Sequence, residues 1–303
     1  MSTFDPDALE CLAAIIEEGG FERAAQRLSI TQSAVSQRLR ALEAQVGTVL
    51  IVRSRPLKAT QAGQLLLKHA KMMRLLRADL ERDLKELARS STGGRDEERI
   101  SIAVNADSIA TWALGALTPL ARSGLPIEII HDDQDFTQEW LREGQVLGCV
   151  TSIGQALRGC KMESLGRMDY VAVAAPDYAE RQLPAGLNAH NFHQVPFMTF
   201  NRKDDMQREF VARAFGLQRV MLRQVYVPSS EGQVIAALGG WGVAVVPELL
   251  VRQRLAGGAL VNVAPAHTLG VKLYWHCWNL ASEVLDSLSA ALRREAGQQL
   301  RQQ

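Results

Sequence analysis

The N-terminal part of the chain carries its apolar positions in three short runs with helical spacing. Residues 7–18 place apolar side chains every three or four positions, which predicts an amphipathic helix that ends before a pair of glycines. A second helix is predicted over residues 21–28 and a third over 32–46, and Thr31 in the turn between them can cap the third. Two short helices joined by a tight turn predict a helix-turn-helix.

A single long helix is predicted next, over residues 60–89. Apolar side chains recur in it at spacings of four and three, which is a heptad pattern, and Arg77 is the one charged residue at a seam position. About four heptads favour a seam between two copies of the chain, whereas an amphipathic helix lying on its own domain is the alternative. The seam runs through Leu66, Ala70, Met73, Arg77, Leu80, Leu84 and Leu87, and its leucines and Met73 are the candidate dimer contacts.

The rest of the chain alternates strands and helices after a hinge-like segment, Ser90-Ser91-Thr92-Gly93-Gly94. This rhythm indicates an α/β architecture with mainly parallel strands, and about 200 residues are enough for one large sheet or for two lobes. A closing helix is predicted over residues 282–300. Strands are predicted at residues 100–104, 127–131, 147–151, 170–174, 195–200, 220–227, 243–246 and 271–278, and helices at 107–121, 136–143, 206–215 and 231–238.

Charge is distributed unevenly along the chain, although the net charge of the 303 residues is only +1. Residues 1–21 carry five acidic side chains and no basic one, whereas residues 22–58 carry seven basic and two acidic side chains. A local basic stripe in a nearly neutral protein indicates one surface that meets a polyanion. This stripe coincides with the predicted helix-turn-helix.

Short polar side chains and an arginine share one face of the third predicted helix. Glutamine and arginine read base edges in the major groove of DNA, while serine and threonine hold phosphates. Basic residues after this helix are candidates for contacts from a wing to the DNA backbone, and a solvated polar face is the alternative interpretation. The candidate DNA-binding residues are Thr31, Gln32, Ser33, Ser36, Gln37 and Arg40 on the helix and Arg53, Arg55 and Lys58 on the wing.

The sequence lacks the motifs of an enzyme, a metal site or a secreted protein. Its cysteines and histidines show no zinc-binding or catalytic-triad spacing, and no GxSxG nucleophile motif is present. The start of the chain has no hydrophobic signal core, and no apolar run approaches the roughly 20 residues of a membrane span. We therefore expect a soluble cytoplasmic protein that is not an enzyme and uses no metal or cofactor.

Residues 21–42, FERAAQRLSITQSAVSQRLRAL, strongly resemble the DNA-binding module of the LysR family of bacterial transcription regulators. That module has an Ala-Ala pair, a Thr-Gln-Ser-Ala-Val-Ser segment and a Leu-Glu pair, which here are Ala24-Ala25, residues 31–36 and Leu42-Glu43. Ile51 stands where the family usually has phenylalanine, and this apolar replacement leaves the expected fold unchanged. Further matches to the family's wing and linker entry are Gly47, Leu50, Arg53 and residues 57–63.

The resemblance extends over the whole chain and implies its domain organisation. The family's C-terminal domain is similar to type II periplasmic binding proteins, with a small effector molecule in the cleft between two α/β lobes. The implied division is a winged helix-turn-helix at residues 1–59, a linker helix and hinge at 60–96, and an effector-binding domain at 97–303. Within that domain, one lobe comprises about residues 97–168 plus 267–303, and the other about 169–266.

Several segments resemble the branch of the family that senses lysine and arginine and controls basic amino-acid export. The resemblance implies an activator or repressor whose effector is L-lysine or L-arginine. Two alternatives stay open: a regulator of another metabolite, and a DNA-architectural protein or replication-initiation inhibitor without metabolite control. The matching segments are residues 105–108, 110–112, 132–133, 137–139, 168–170, 204–206, 229–231 and 273–276.

A basic amino acid presents a carboxylate, an ammonium group and a distal cation. Serines at predicted helix starts can offer backbone N–H groups to the carboxylate, and acidic side chains are candidates for the cationic groups. Plain helix caps and a solvated strand end are the alternative interpretations. The candidate effector-binding residues are Asn105, Asp107, Ser108, Asp132, Asp133, Thr151, Asp204, Ser229, Ser230 and Glu231.

The resemblance also implies the partners of the protein. A homodimer would form through the linker helices and place two recognition helices on double-stranded promoter DNA. Dimers would pair through their effector domains into a homotetramer, and the bound complex would recruit RNA polymerase. No membrane partner is expected.

Overall fold

The computed structural model describes residues 4–52, 54, 57–87, 99–132 and 137–302. None of the helices in these ranges is both long enough and apolar enough to cross a membrane. The N-terminal elements are α1 (Pro6–Glu18), α2 (Phe21–Arg27), α3 (Gln32–Val46), β1 (Ile51–Val52), β2 (Lys58–Ala59) and α4 (Gln61–Leu87). The C-terminal elements are β3 (Ile100–Asn105), α5 (Ala106–Ser108), α6 (Leu114–Arg122), β4 (Ile127–Asp132), α7 (Thr137–Arg142), β5 (Gly148–Thr151), β6 (Cys160–Ala174), α8 (Pro176–Gln182), β7 (Pro196–Thr199), α9 (Met206–Phe215), β8 (Arg223–Tyr226), α10 (Ser230–Leu238), β9 (Val243–Pro247), α11 (Glu248–Ala256), β10 (Val261–Asn262), β11 (Leu269–Trp278) and α12 (Glu283–Gln299).

Helices α1, α2 and α3 pack around a common apolar core. Gly19 ends α1 in the left-handed conformation at φ 65°, and Thr31 caps α3 by accepting a hydrogen bond from the Ala34 N–H at 3.2 Å. Ala24 on α2 is fully buried, which allows the helices to approach closely. The predicted helix-turn-helix is therefore present, with α2 ending at Arg27.

A two-stranded wing, β1 paired with β2, leads into α4. Gly63 at the start of α4 lies so close to the wing that a Cβ atom would stand 2.1 Å from the Leu50 carbonyl oxygen, so only glycine fits. Leu67 and Ala70 of α4 are buried in the core of the N-terminal module, and Leu75 is buried in the core of the C-terminal domain. One helix thus packs against both parts of the chain.

The C-terminal domain is built on a continuous sheet with the strand order β4-β3-β5-β11-β6-β9-β7-β8, and β10 pairs with β6. A first lobe forms around β3, β4 and β5, and a second around β7, β8 and β9, with parallel pairing inside each. The long strands β6 and β11 pair antiparallel with each other and connect the lobes. The prediction of mainly parallel strands is confirmed inside the lobes and is wrong for these crossover strands.

Strand β6 departs most from the predicted elements. It begins at Cys160, well before the strand predicted at residues 170–174, because its polar first part pairs with β11 although it lacks a continuous apolar run. Helices α8 and α11 and strand β10 were not predicted. Of the side chains in α11 only Val251 is buried, so this helix has no apolar stripe that a periodicity analysis would detect.

The helix predicted at residues 107–121 is interrupted in the structure. A π-helical turn, Ile109–Ala113, separates α5 from α6. The Thr111 hydroxyl donates to the Asp107 carbonyl oxygen at 2.6 Å within this irregular stretch. π-Helical turns are frequent at functional sites, and this one is separated from the end of β3 only by the three residues of α5.

Candidate DNA interface and effector cleft

The polar face of α3 is open to solvent, opposite the side chains that hold the helix in its domain. Val35, Leu39 and Leu42 are buried on the inner side. The predicted face is therefore accessible to a DNA groove. Thr31, Gln32, Ser33, Gln37 and Arg40 are exposed, and Ser36 is half-buried.

The arginines of the helix-turn-helix divide into two groups. Arg38 pairs with Asp7 on α1 at 3.0 Å and Arg27 pairs with Glu17 at 2.6 Å, so both stabilise the packing of the helices. Arg40 lies exposed on the polar face of α3. The basic stripe seen in the sequence therefore contains structural ion pairs as well as candidate DNA contacts.

The wing is described only in part. Lys58 is exposed on β2 and pairs in register with Val52. Arg53 and Arg55 lie outside the described residues. Contacts from the wing to the DNA backbone stay a prediction.

The predicted seam on α4 is partly covered by the same chain. Leu66 and Met73 are half-buried against the core of the N-terminal module, as the alternative of a helix lying on its own domain expects. Leu80 is 56% exposed, and Leu76 beside the seam is 46% exposed. The side chains of Leu84 and Leu87 lie outside the described part of the structure. The dimer seam stays a prediction, and its free portion begins beyond Met73.

Two basic side chains on α4 contact α1, and one of them, Lys71, also contacts the C-terminal domain. Arg74 pairs with Glu10 and, at 2.9 Å, with Glu17 of α1. Lys71 pairs with Glu17 at 3.3 Å and donates to the Gln145 carbonyl oxygen, between α7 and β5, at 2.8 Å. A movement of either domain therefore changes the surroundings of the same lysine.

The carboxylate at this junction is stabilised in its charged form. Burial would raise the pKa of Glu17, but the charges of Lys71 and Arg74 and the hydrogen bond from Arg74 outweigh it and lower the pKa to about 2. Burial lowers the pKa of Lys71, and the Glu17 charge opposes that effect. The junction is thus an ion-pair network that is intact at neutral pH.

A cleft opens between the two lobes at the end of β3. It is a depression that is partly open to solvent rather than an enclosed cavity. The first lobe contributes the end of β3 and α5, and the second lobe contributes α9, α10 and β9. None of the described side chains that line it is basic. The lining residues are Asn105, Ala106, Asp107, Phe200, Asp204, Met206, Gln207, Gln233 and Val245.

Asp107 lies at the centre of the hydrogen bonds around this cleft. The Tyr170 hydroxyl on β6 donates to its Oδ2 at 2.7 Å, and the Ser230 hydroxyl at the start of α10 donates to its Oδ1 at 2.6 Å. Burial raises the pKa of Asp107; these two hydrogen bonds oppose the rise, and the charges of Asp204 and Glu231 add to it. Asp107 is therefore a half-buried carboxylate without a cationic partner among the groups that shift its pKa.

Asp204 accepts hydrogen bonds from residues close to it in the sequence. Its Oδ2 accepts hydrogen bonds from the Phe200 N–H at 2.9 Å and from Gln207 Nε2 at 3.1 Å, and its Oδ1 accepts from the Met206 N–H at 2.9 Å. These contacts resemble a helix cap, the alternative considered for this residue. Asp204 nevertheless borders the cleft and contributes negative charge to it.

Two amide side chains present unpaired oxygens beside the carboxylates. Asn105 Oδ1 and Gln207 Oε1 are buried and have no hydrogen-bond partner among the described residues. A buried acceptor without a partner costs about 1–3 kcal/mol, so both oxygens favour a donor from a ligand or water. Gln207 and Gln233, which line the cleft, and Tyr170, which donates to Asp107, were not predicted as site residues, because only tertiary contacts bring them there.

Other predicted effector residues lie away from the cleft lining. Ser229 caps α10 by accepting a hydrogen bond from the Gly232 N–H at 3.0 Å, and Glu231 is exposed. Thr151 and Ser108 are buried, and the Ser108 hydroxyl has no hydrogen-bond partner among the described residues. Roles for these side chains in effector binding stay predictions.

The acidic pair at the end of β4 is only partly described. Asp132 pairs in register with Asn105, so its backbone lies beside the end of β3 that lines the cleft. The Asp132 side chain and the whole of Asp133 lie outside the described residues. Their contact with an effector stays a prediction.

Comparison with known proteins agrees with this architecture. The model for the bacterial regulatory helix-turn-helix protein of the lysR family matches residues 6–64, and the LysR substrate binding domain matches residues 93–297. The chain is 42% identical over 297 residues to the HTH-type transcriptional regulator ArgP of Aeromonas salmonicida, which covers 97% of each chain. It is 40% identical over 293 residues to the HTH-type transcriptional regulator LysG of Mycobacterium bovis, which covers 96% of this chain and 93% of that one.

Two solved structures are similar over nearly the whole chain. The crystal structure of ArgP from Mycobacterium tuberculosis superposes with a TM-score of 0.84 at 38% identity, covering 100% of both chains. Full-length LysG from Corynebacterium glutamicum with bound effector Arg superposes with a TM-score of 0.75 at 33% identity, covering 98% of this chain and 99% of that one. This chain belongs to the LysR family, is closely related to ArgP and LysG, and is a transcription regulator rather than an enzyme.

Proposed function

We propose that this regulator binds L-arginine or L-lysine in the cleft between its lobes, and that the bound amino acid sets transcription of an amino-acid exporter gene. The observation that carries the proposal is the acceptor-rich wall of the cleft. It combines the carboxylates of Asp107 and Asp204 with the buried, unpaired oxygens of Asn105 and Gln207. A ligand with positive charge and several N–H donors complements such a wall.

The electrostatics of the cleft favour a cationic effector over an anionic one. Two carboxylates border the cleft, and none of the described lining side chains is basic. Burial raises the pKa of Asp107, and a bound ammonium or guanidinium group would lower it again. The structure of the related LysG with bound effector Arg supports the same class of ligand.

Effector binding at Asp107 would change the connection between the lobes. Asp107 follows β3 in the first lobe, and its hydrogen bond from Ser230 reaches α10 in the second. A cation that binds Asp107 either displaces the Ser230 hydroxyl from the carboxylate or binds beside it. Because this hydroxyl belongs to the other lobe, the affinity for the effector depends on how the two lobes are arranged. The contact of Lys71 with the Gln145 carbonyl oxygen offers a route from the effector domain to the linker helix.

The proposed assembly is a homodimer formed through α4 that places two α3 helices on two DNA half-sites. The exposed Leu76 and Leu80 on α4 support a contact with a second copy. Pairing of dimers into a tetramer and recruitment of RNA polymerase complete the proposal. We propose the same domain division as the sequence implied, with boundaries after residues 59 and 96.

Isothermal titration of the full-length protein with arginine, lysine, ornithine and leucine tests the effector assignment. We expect saturable binding of the basic amino acids and none of leucine. Asp204→Asn should weaken binding about tenfold, because it removes one negative charge from the cleft wall. Asp205→Asn is the matched control, since the neighbouring Asp205 is exposed and pairs with Arg208 instead.

The titration separates the proposal from its alternatives. Binding of arginine or lysine that is unchanged in both variants would reject this cleft as the site. Failure of the folded protein to bind any basic amino acid would reject basic amino-acid sensing. A screen of other metabolites would then distinguish a different effector from DNA binding without metabolite control.

A further inference from the structure

The last described residues of the chain lie on the connection between the two lobes. Strand β6 pairs with β11 over residues 160–170, and it pairs with β9 of the second lobe only from Tyr170 onward. Opposite Leu273 and Tyr274 the register of β6 shifts, which leaves Leu165 as an extra residue in a bulge. Residues 165–169 of β6 are therefore the segment in which the strand leaves the first lobe, and we call them the hinge segment.

Backbone hydrogen bonds attach the chain after α12 to this hinge segment. The Arg167 N–H donates to the Arg301 carbonyl oxygen at 2.9 Å, and the Arg301 N–H donates to the Arg167 carbonyl oxygen at 3.0 Å. The Gln302 side-chain amide donates to the Leu165 carbonyl oxygen at 3.3 Å. Gly166 has a φ of 120°, and a Cβ there would stand 2.9 Å from Gln302 Nε2, so the two segments fit closely.

A buried carboxylate strengthens the same attachment. Asp169 has a side chain that is only 8% exposed, and it pairs with Arg301 Nε at 2.7 Å and with Arg167 Nε at 2.9 Å. Tyr170, the next residue, is buried and donates its hydroxyl hydrogen bond to Asp107 in the cleft. The position of Asp169 and the position of the Tyr170 hydroxyl therefore depend on the same short piece of backbone.

We propose that residues 300–302 form a clamp across the hinge segment that positions Tyr170, and through it Asp107, for the effector. Arg301 is a positioning residue in this arrangement, because it contacts Asp169 and not the cleft. The effect on effector affinity rests on the function proposed above. Without the clamp the hinge segment has more freedom, and the Tyr170 hydroxyl is held less well against Asp107.

The separate contacts of the clamp should contribute unequally. The Arg301 side chain is 71% exposed, so its ion pair with Asp169 contributes little by itself. Replacing the Arg301 side chain keeps the paired backbone hydrogen bonds and the Gln302 amide contact, whereas removing the segment loses all of them. Ending the chain at Leu300 should therefore have a larger effect than replacing the Arg301 side chain.

Effector titrations on full-length protein test the clamp. With arginine as the probe, we expect the dissociation constant to rise about tenfold in a chain ending at Leu300 and about threefold in Arg301→Met. Arg301→Lys should recover part of the affinity, because it retains the charge beside Asp169. Arg293→Met is the matched control: Arg293 on α12 pairs with Glu163 of β6 at 2.8 Å, before the hinge segment, and its loss should leave the dissociation constant unchanged.

A double-mutant cycle with Tyr170→Phe tests the route of the effect. If Arg301 acts through the tyrosine hydroxyl, Arg301→Met should add nothing to the loss that Tyr170→Phe causes alone. Additive losses, an equal loss in Arg293→Met, or unchanged affinity in the chain ending at Leu300 would each overturn the proposal.

Hydrogen exchange keeps the test independent of the proposed function. If the folded protein binds neither arginine nor lysine, the effector assignment fails, and the clamp is then judged on the amides of residues 170–173. We expect faster exchange at these amides in the chain ending at Leu300 than in the full chain. Equal exchange in the two proteins would reject the clamp.

Discussion

The DNA-binding face and the effector cleft of this regulator are assembled in opposite ways. The six candidate residues on α3 lie within residues 31–40 of one helix and its cap. The cleft joins Asn105 at the end of β3 and Asp107 just after it to Asp204 and Gln207 near the start of α9. The first site needs one correctly placed helix, whereas the second forms only when the two lobes are correctly positioned relative to each other.

This difference explains why the two sites respond differently to change. The polar face of α3 is exposed, so a substitution there leaves the core of the domain intact. Most of the cleft residues are buried, and Asp107 and Asp204 accept hydrogen bonds from other parts of the domain, so a substitution there affects both ligand binding and the effector-free fold. The predictions below test this contrast.

The largest expected effect is at Asp107. Replacing Asp107 by asparagine should weaken arginine or lysine binding by a hundredfold or more, about 3 kcal/mol, because it removes a half-buried charge from the proposed cation site. Titration calorimetry on the full-length protein measures this loss. DNA affinity without effector should stay within about twofold of the unchanged protein, and a comparable loss there would contradict the separation of the two sites.

The same substitution should raise stability without effector. Burial raises the pKa of Asp107 in the folded state, so the folded protein disfavours the charged carboxylate. The contribution of Asp107 to the stability of the folded protein is thus complete at low pH, and it is lost as the pH rises through the raised pKa of this carboxyl group. At neutral pH, Asp107→Asn should therefore increase the melting temperature of the effector-free protein, and a decrease would contradict this account.

Arg40→Ala should affect DNA binding alone. Loss of an exposed arginine on the polar face should weaken binding to a specific site by about 2 kcal/mol, roughly thirtyfold. Fluorescence anisotropy at one fixed salt concentration measures the change. Arg38→Ala is the control. Because Arg38 pairs with Asp7, this variant should lose less affinity for DNA than Arg40→Ala. A weakened affinity for the effector would show that the face is not independent of the cleft.

Lys71→Met should reduce communication between the two sites more than either affinity. The variant keeps the aliphatic packing of the side chain but removes the contacts with Glu17 and the Gln145 carbonyl oxygen. We expect the effector-induced change in DNA affinity to fall several-fold, about 1 kcal/mol of coupling. Lys68→Met is the comparison variant: the Lys68 ammonium lies 5.7 Å from the centre of the Trp278 ring, so this variant removes another charge between α4 and the C-terminal domain but keeps the Lys71 contacts. An undiminished effector response in Lys71→Met would reject this route.

The smallest expected effect is the loss of stability at the ion-pair junction as the pH falls, because this junction is fully charged at neutral pH. The pKa of Glu17 is lowered to about 2, so its stabilising contribution is complete above its ordinary pKa of 4.5 and is lost as the pH falls towards 2. Denaturant unfolding between pH 7 and pH 3 measures this loss. In Glu17→Gln the free energy of unfolding should fall less steeply as the pH is lowered. An identical fall in the variant would show that other carboxylates cause it.

The comparison of the two regions also shows where sequence reasoning worked. Apolar periodicity and the Thr31 cap predicted α3 with its observed bounds, because a local helix depends mainly on nearby residues. The same reasoning missed the first part of β6, whose polar side chains pair with a strand far away in the chain. Its assignment of Leu66 and Met73 to a dimer seam stays a prediction, and in the structure both are half-buried against the N-terminal core.

The sequence by itself determined the helix-turn-helix, the linker helix, the α/β class of the C-terminal domain and membership of the LysR family. These features depend on side-chain spacing and on motifs that are contiguous along the chain. Only the tertiary structure decided that Asp107 meets Tyr170 and Ser230, that Gln207 borders the cleft and that Arg301 lies on the hinge segment. These contacts join residues that are distant in sequence, and burial of the two lobe cores brings them together.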